Sequence, residues 1–337
     1  MDTVLERMEA VQDIEAGTLD VRVKQIRYEG NGINSYELTS PSGKMLPPFD
    51  AGSHIDVHLK NGVIRQYSLC NAPAERHRYV IAVLKDAGGR GGSRAVHESL
   101  HAGDIVTISI PRNHFALAAG ARKVILIAGG IGVTPLKAMA HELEMRHVDF
   151  EMHYCARSPE AAAFGPELEA MRRAGKVHYH FDDGDDANRL DLKRLLLEPA
   201  PDTHVYYCGP GGFMAACADA ASHWPAGTVH FEHFKAPEKP RREAGETAER
   251  AAGCQVTIAS TGQVLHVGPD QNLADALNEA GVEVPTSCCA GLCATCKVRY
   301  RDGEVEHNDF ILNDDERDEF LTVCVSRPAG PTLTLDL

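Results

Sequence analysis

The stretch Thr286-Ser-Cys-Cys-Ala-Gly-Leu-Cys-Ala-Thr-Cys296 constrains this chain more than any other. It sets Cys288, Cys293 and Cys296 at C-x4-C-x2-C spacing, and a further thiol, Cys324, follows in the apolar run Leu321-Thr-Val-Cys-Val-Ser326. That spacing is the ligand pattern of a plant-type [2Fe–2S] cluster. A short loop rich in Gly and Ala lets three thiolates curl round one inorganic core, and the fourth sulfur is expected from a strand through Cys324. Other chemistry needs other patterns. A zinc site usually pairs two C-x2-C knuckles, and only one is present. Attachment of a c-type haem needs C-x-x-C-H, but Lys297 follows Cys296. A C-x-x-C redox switch has no use for a third and fourth cysteine. Cys289 falls between ligand positions and is not expected to ligate.

At 337 residues and 43% apolar content the chain is long enough for two or three domains. The remaining cysteines, Cys70, Cys155, Cys208, Cys217, Cys254 and Cys289, are scattered, as in a reducing cytoplasm. Met1–Arg7 lacks the charged start and apolar core of a signal peptide, so none is expected. The apolar run from Val124 to Leu136 is broken by glycines and too short to span a bilayer, so no membrane is expected. A net charge of −14 argues against nucleic acid as a partner. Residues 254–337 carry 14 Asp and Glu against 5 Lys and Arg, a net of −9. Such a concentration serves either solubility or docking on a basic partner.

Residues 19–28 alternate apolar and polar as a half-buried strand does. Further strands are expected at 33–38, 54–59, 66–69, 79–84 and 105–110, punctuated by Gly, Pro and Asn, which suggests a small antiparallel barrel. Within it, Gly88-Gly-Arg-Gly-Gly-Ser-Arg94 precedes a helix expected over 95–100, and a glycine turn at a helix start attracts phosphate. Near Ala118 the pattern changes. Lys123-Val-Ile-Leu-Ile-Ala-Gly-Gly-Ile-Gly-Val-Thr-Pro135 reads as a buried strand, a glycine loop and a helix over 136–144. Strands at 150–155, 176–181, 204–208 and 228–231 alternate with helices at 159–174, 190–197 and 211–223, which is the order of a doubly wound parallel sheet. The glycine loop fits a pyrophosphate cradle, and Cys208-Gly-Pro-Gly-Gly212 ends a later strand where such folds bind ligands. Residues 235–252 are charged and proline-bearing and read as a linker. Strands at 255–258, 263–267, 297–300 and 333–335, with a helix at 272–280, complete a compact α+β module around the cysteine loop.

Six motifs in order carry a family resemblance over nearly the whole chain: Arg65-Gln-Tyr-Ser-Leu-Cys-Asn71, Gly89-Arg-Gly-Gly-Ser93, Pro111-Arg-Asn-His-Phe115, Ala128-Gly-Gly-Ile-Gly-Val-Thr-Pro135, Tyr207-Cys-Gly-Pro210 and Phe231-Glu-His-Phe234. Together they resemble the phthalate dioxygenase reductase family, which includes vanillate O-demethylase reductases. The resemblance implies an FMN-binding β-barrel over 15–117, an NADH-binding α/β domain over 118–234, and a plant-type ferredoxin of β-grasp fold over 253–337. It further implies that Arg65, Tyr67 and Ser68 line the flavin, with Ser68 near the ring's reactive nitrogen. Arg90, Gly91, Gly92 and Ser93 would hold the FMN phosphate. Gly129, Gly130, Gly132 and Gly209 would shape the nucleotide cradle, Thr134 and Cys208 would flank the nicotinamide, and Phe234 would pack on the flavin. Asp182 is the candidate for the ribose hydroxyls, while Arg157-Ser158 could instead take a 2′-phosphate. Three positions depart from the family's pattern: Cys289, Ala294 and Ala116 stand where a polar residue, a glycine and a proline are common.

A nicotinamide gives two electrons as a hydride and a [2Fe–2S] cluster takes them singly, so a flavin between them gives the domain order a chemical reason. The resemblance implies that the acceptor is the Rieske centre of a separate terminal oxygenase; no C-x-H…C-x-x-H pattern occurs here, so this chain is not expected to be that oxygenase. A reductase serving another ferredoxin or a P450, or a redox sensor, is the alternative.

Overall fold

The computed structural model describes residues 17–89, 91–236, 253–268 and 271–337. The chain divides into two compact units, one ending at Phe234 and one beginning at Lys235. The expected linker, apart from Lys235 and Ala236, lies outside the described residues.

The first unit holds two sheets. One is a seven-stranded antiparallel sheet in the order β4-β3-β6-β1-β2-β5, with β7 added beside β3. Its strands are β1 (Thr18–Gly30), β2 (Ile33–Thr39), β3 (Ser53–His58), β4 (Ile64–Ser68), β5 (Tyr79–Leu84), β6 (Ile105–Ser109) and β7 (Arg112–Asn113). The two ends of the order meet through an antiparallel bridge between Leu69 and Ile81, which closes the sheet into a barrel. The alternation read in β1 is real: Leu19, Val21 and Val23 are buried while Asp20, Arg22 and Lys24 face solvent. The helix expected over 95–100 begins earlier, at Gly92, and runs to Ser99, so the glycine turn opens directly into it.

The other sheet is fully parallel, in the order β10-β9-β8-β11-β12, from β8 (Lys123–Gly129), β9 (Asp149–Ala156), β10 (Val177–Phe181), β11 (Thr203–Cys208) and β12 (Val229–Glu232). The order reverses between β8 and β11, and the carboxyl ends of those strands form the crevice where doubly wound folds bind ligands. β8 is buried from Val124 to Gly129, as a central parallel strand must be. The helix after it starts at Val133 rather than 136, following a 3-10 turn at Gly130–Gly132, and ends at Met145. The expected helix over 159–174 is a 3-10 turn at Pro159–Ala161 and then a helix at Gly165–Arg173. Leu192–Leu195 and Gly211–Ala220 are shorter than expected. Both sheets share one core, in which Ile33, Ala51, Cys70 and Phe115 of the barrel pack with Leu126, Leu136 and Met139.

The second unit is a five-stranded mixed sheet in the order β14-β13-β17-β15-β16, with a helix at Leu273–Glu279. Its strands are β13 (Cys254–Ile258), β14 (Val264–Val267), β15 (Lys297–Glu306), β16 (Phe320–Thr322) and β17 (Arg327–Leu335). Leu273 and Leu277, one turn apart, are fully buried against Val256, Leu321 and Leu333, each worth about 1.5–3 kcal/mol. Sequence reasoning found only the last residues of β17, because Pro328 and Pro331 break strand patterning. It also stopped β15 at 300, before an irregular register in which Gly303 adopts φ +107 against Thr332 O. Cys324 does not lie in the strand expected for it but in the turn after β16. Val325 N and Ser326 N both donate to Thr322 O, and this curl carries the thiol inward.

Candidate functional site

The strand β4 connects two glycine cradles through its own side chains. At one end, Arg65 lies across Gly92: a Cβ added there would sit 2.1 Å from Arg65 Nε. Gly91, in the left-handed region at φ +83, caps the helix of residues 92–99, which has no side-chain cap and no acid in its first turn. Its first N–H groups therefore have no partner from the capping side chain, and the Arg65 guanidinium lies beside them, an arrangement that fits a phosphate. Ser93 Oγ accepts from Asp86 N at 3.0 Å, fixing the turn. Arg90 lies outside the described residues. Tyr67 is half-buried against the barrel core, and burial holds its hydroxyl well above the usual range.

At the other end of β4, Ser68 is buried and its Oγ donates to Glu232 Oε2 of β12 at 3.4 Å. Glu232 stands in register with Cys208, the last residue of β11. Burial, then the nearby Glu232, drives the Cys208 thiol far above its ordinary range, so it remains a thiol. Burial also pushes the Glu232 carboxyl up to about 8, while the Ser68 hydroxyl acts in the opposite direction. Glu232 is a residue that sequence reasoning missed: it lies inside the quoted Phe231-Glu-His-Phe234 motif, but only its contact with Ser68 singles it out.

The glycines at the crevice are demanded by contact. A Cβ on Gly132 would lie 2.1 Å from Cys208 O, and one on Gly209 would lie 2.5 Å from the Phe213 ring and 3.1 Å from Gly129 Cα. Gly130 takes φ +54. Thr134 is buried, and its Oγ1 donates to Ile131 O at 3.0 Å, closing the turn. The helices starting at Val133 and Gly211 again lack side-chain caps and first-turn acids, whereas Asn272 and Asn313 cap helices of the second unit. The crevice thus suits a pyrophosphate.

Asp182 follows β10, at the sheet's edge and away from β8. Its Oδ1 accepts from Gly184 N at 3.0 Å, and Arg189 Nε lies 3.7 Å away. Asp183 N donates to Arg157 O, so the two loops that sequence reasoning weighed as ribose or phosphate contacts are neighbours. Phe234 is 39% exposed beyond β12.

In the second unit the four thiols converge. Cys288 contacts both Cys293 and Cys324, and Cys324 contacts Cys296. Among the described residues no three side chains surround a single ion position. Four sulfurs linked 293–288–324–296 give the four thiolates that would hold a [2Fe–2S] core. Leu292 N donates to Cys288 Sγ at 3.3 Å, and Asn272 Nδ2 holds Cys324 O at 2.7 Å. Gly291 is obligatory, since a Cβ would come within 2.9 Å of Asp309 Cα. Cys289 is exposed and is not among the contacts that link the other four thiols.

Residues 126–219 match the oxidoreductase NAD-binding domain model, and residues 256–329 match that of the 2Fe-2S iron-sulfur cluster binding domain. The chain is 52% identical to the tert-butanol monooxygenase / tert-amyl alcohol desaturase reductase subunit of Aquincola tertiaricarbonis, over 95% of this chain and 96% of that one. It is 45% identical to a vanillate O-demethylase oxidoreductase of Pseudomonas sp., over 95% and 100%. The solved structure of phthalate dioxygenase reductase, described as modular for electron transfer from pyridine nucleotides to [2Fe–2S], superposes with TM-score 0.71 at 39% identity, over 95% and 98%. A type IV self-sufficient cytochrome P450 monooxygenase superposes with TM-score 0.84 at 35% identity, over all of this chain and 44% of that one.

Proposed function

This chain belongs to the phthalate dioxygenase reductase family, and from that premise we propose that it is the reductase component of a Rieske-type oxygenase or demethylase system. It is an NADH-dependent flavin and iron–sulfur oxidoreductase, and its cofactors are FMN, NADH and a [2Fe–2S] cluster. When bound, these supply hydride acceptance, hydride donation and single-electron delivery respectively. The chain's own residues bind and orient. Arg65 and the Gly91–Ser93 turn hold the flavin phosphate, and Ser68 presents a hydroxyl to the ring. Gly129–Gly132 and Gly209 leave room for the pyrophosphate, while Thr134 and Cys208 border the nicotinamide. Asp182 takes the ribose hydroxyls and Phe234 covers the flavin. Cys288, Cys293, Cys296 and Cys324 hold the cluster.

The observation that supports this most is the contact of Ser68 with Glu232, because it brings the flavin strand to the crevice of the parallel sheet. Hydride transfer needs reacting atoms about 3–3.5 Å apart, and only a shared site allows that. The residue limits 15–117, 118–234 and 253–337 belong to the same proposal, as does the acceptor, a Rieske centre on a separate oxygenase. The superposition on a P450 monooxygenase favours one second reading, in which the acceptor is a P450. Purified chain should reduce cytochrome c rapidly with NADH, and should sustain turnover of a terminal Rieske oxygenase supplied with it. Failure with the oxygenase alongside success with a P450 would decide for the second reading.

A further inference from the structure

The barrel and the parallel sheet meet across an apolar seam, and apolar contact is non-directional. One ion group interrupts it. Lys137, in the second turn of the helix that opens at the nucleotide cradle, is only 3% exposed. Its Nζ donates to Cys70 O at 3.0 Å and pairs with Glu167 Oε2 at 2.5 Å, 4.6 Å from the Phe164 ring centroid. Glu167 in turn accepts from Arg27 Nη1 of β1 at 3.1 Å. Cys70 stands two residues beyond Ser68, and its own N–H donates to Val80 O at 2.9 Å, which fixes that peptide in the barrel. A buried ammonium held by a carbonyl and a carboxylate is costly to misplace, because either partner left alone loses its compensation.

We propose that Lys137 is a positioning residue that sets the distance between the flavin strand and the nicotinamide cradle. The helix start at Val133 and the strand end at Ser68 are one turn of helix and two residues away, respectively, from the Lys137–Cys70 bond. The hydrogen bond adds direction to the seam beside the Ser68–Glu232 and Asn31 N–Glu160 O bonds, and Glu167 with Arg27 keeps the ammonium in place. The inference rests on the proposed hydride transfer from nicotinamide to flavin. A 1 Å displacement at such a step costs on the order of 100-fold in rate.

The test compares the FMN-loaded full chain with its Lys137→Met and Glu167→Gln variants. Three readouts are taken: single-turnover flavin bleaching at saturating NADH, the long-wavelength charge-transfer absorption of the nicotinamide–flavin complex, and amide exchange over residues 66–71. Lys137→Met should slow bleaching about 10- to 100-fold, weaken the charge-transfer band and raise exchange at Leu69–Asn71. Glu167→Gln, half-exposed and tolerant of change, should give smaller shifts in the same direction. A folded Lys137→Met variant with bleaching within twofold of the parent and an unaltered band overturns the proposal. Should that variant not fold, parent-like behaviour of Glu167→Gln on all three readouts overturns it instead. The parent separates the two readings, because absence of NADH-driven bleaching there would defeat the proposed function as well.

Discussion

Ser68 and Glu232 meet at 3.4 Å, although 164 residues separate them and they come from different sheets. Desolvation pushes the Glu232 carboxyl up to about 8 from its ordinary 4.5. A raised acid pKa means that the folded state resists ionisation. The stability it lends is complete below about 4.5 and is lost as pH rises through about 8. Glu232→Gln mimics the protonated acid. The Tm of the parent relative to that variant should therefore fall between pH 5 and 9, and flavin reduction in the variant should be flat over that range while the parent changes near pH 8. A parent and variant that track each other across the range would remove Glu232 from the site.

The four thiols predict a clean separation of roles. Cys324→Ser should lose the cluster and its visible absorption while NADH still reduces the flavin. Cys289→Ser should retain about two irons per chain, measured by iron assay. Loss of iron from the Cys289 variant would show that the thiol group is drawn wrongly.

Ala294 adopts φ +54, in the left-handed region that costs a residue with a Cβ about 1–2 kcal/mol. Glycine removes that cost and returns part of it as chain entropy. Ala294→Gly should stabilise the second unit by about 0.5–1 kcal/mol, read by chemical denaturation followed at the cluster's absorption. Destabilisation would mean the methyl group has a packing role.

Ala294 also shows what the sequence made legible. Its departure from a common glycine was visible beforehand, but only the backbone angle gives the reason. Local patterns were readable where one physical rule dominates: alternation in β1, continuous apolarity in β8, cysteine spacing in the loop. They failed where tertiary contact overrides the local signal, as in the proline-bearing β17, or where a turn replaces a strand, as at Cys324. Glu232 was hidden for a third reason. Its meaning comes from Ser68, and no local pattern connects residues on separate sheets.

Asp182 and Arg157 predict cofactor choice. The carboxylate, fixed by Gly184 N, would repel a 2′-phosphate placed beside it, whereas Arg157 on the neighbouring loop would attract one. Asp182→Ser should lower kcat/KM for NADH and narrow its advantage over NADPH about tenfold, the equivalent of one charge-assisted hydrogen bond. Steady-state comparison of the two nucleotides decides it, and an unchanged ratio would place the ribose elsewhere.

Six of the 14 carboxylates of residues 254–337 lie in the segment Asp309–Glu319, and they do different work. Asp309 is buried and accepts from Ile311 N and Leu312 N at 3.2 and 2.8 Å. Glu316 closes a capping box with Asn313 and pairs with Lys297 at 2.7 Å, and Glu319 pairs with Arg299 at 2.9 Å. Asp314, Asp315 and Asp318 remain exposed, and Asp314 reaches Arg317 only at 3.8 Å. Docking on a basic oxygenase surface should therefore depend on those three. Complementary charge raises the encounter rate and is screened over about 8 Å at physiological ionic strength. Neutralising Asp314, Asp315 and Asp318 together should slow electron delivery to the oxygenase and flatten its salt dependence, with flavin reduction by NADH unchanged. Glu316→Ala should instead lower stability by about 1 kcal/mol through the lost capping-box bond and the lost pair with Lys297. Stopped-flow transfer to the oxygenase across a salt series separates these outcomes. A triple variant as fast and as salt-sensitive as the parent would put the docking face elsewhere.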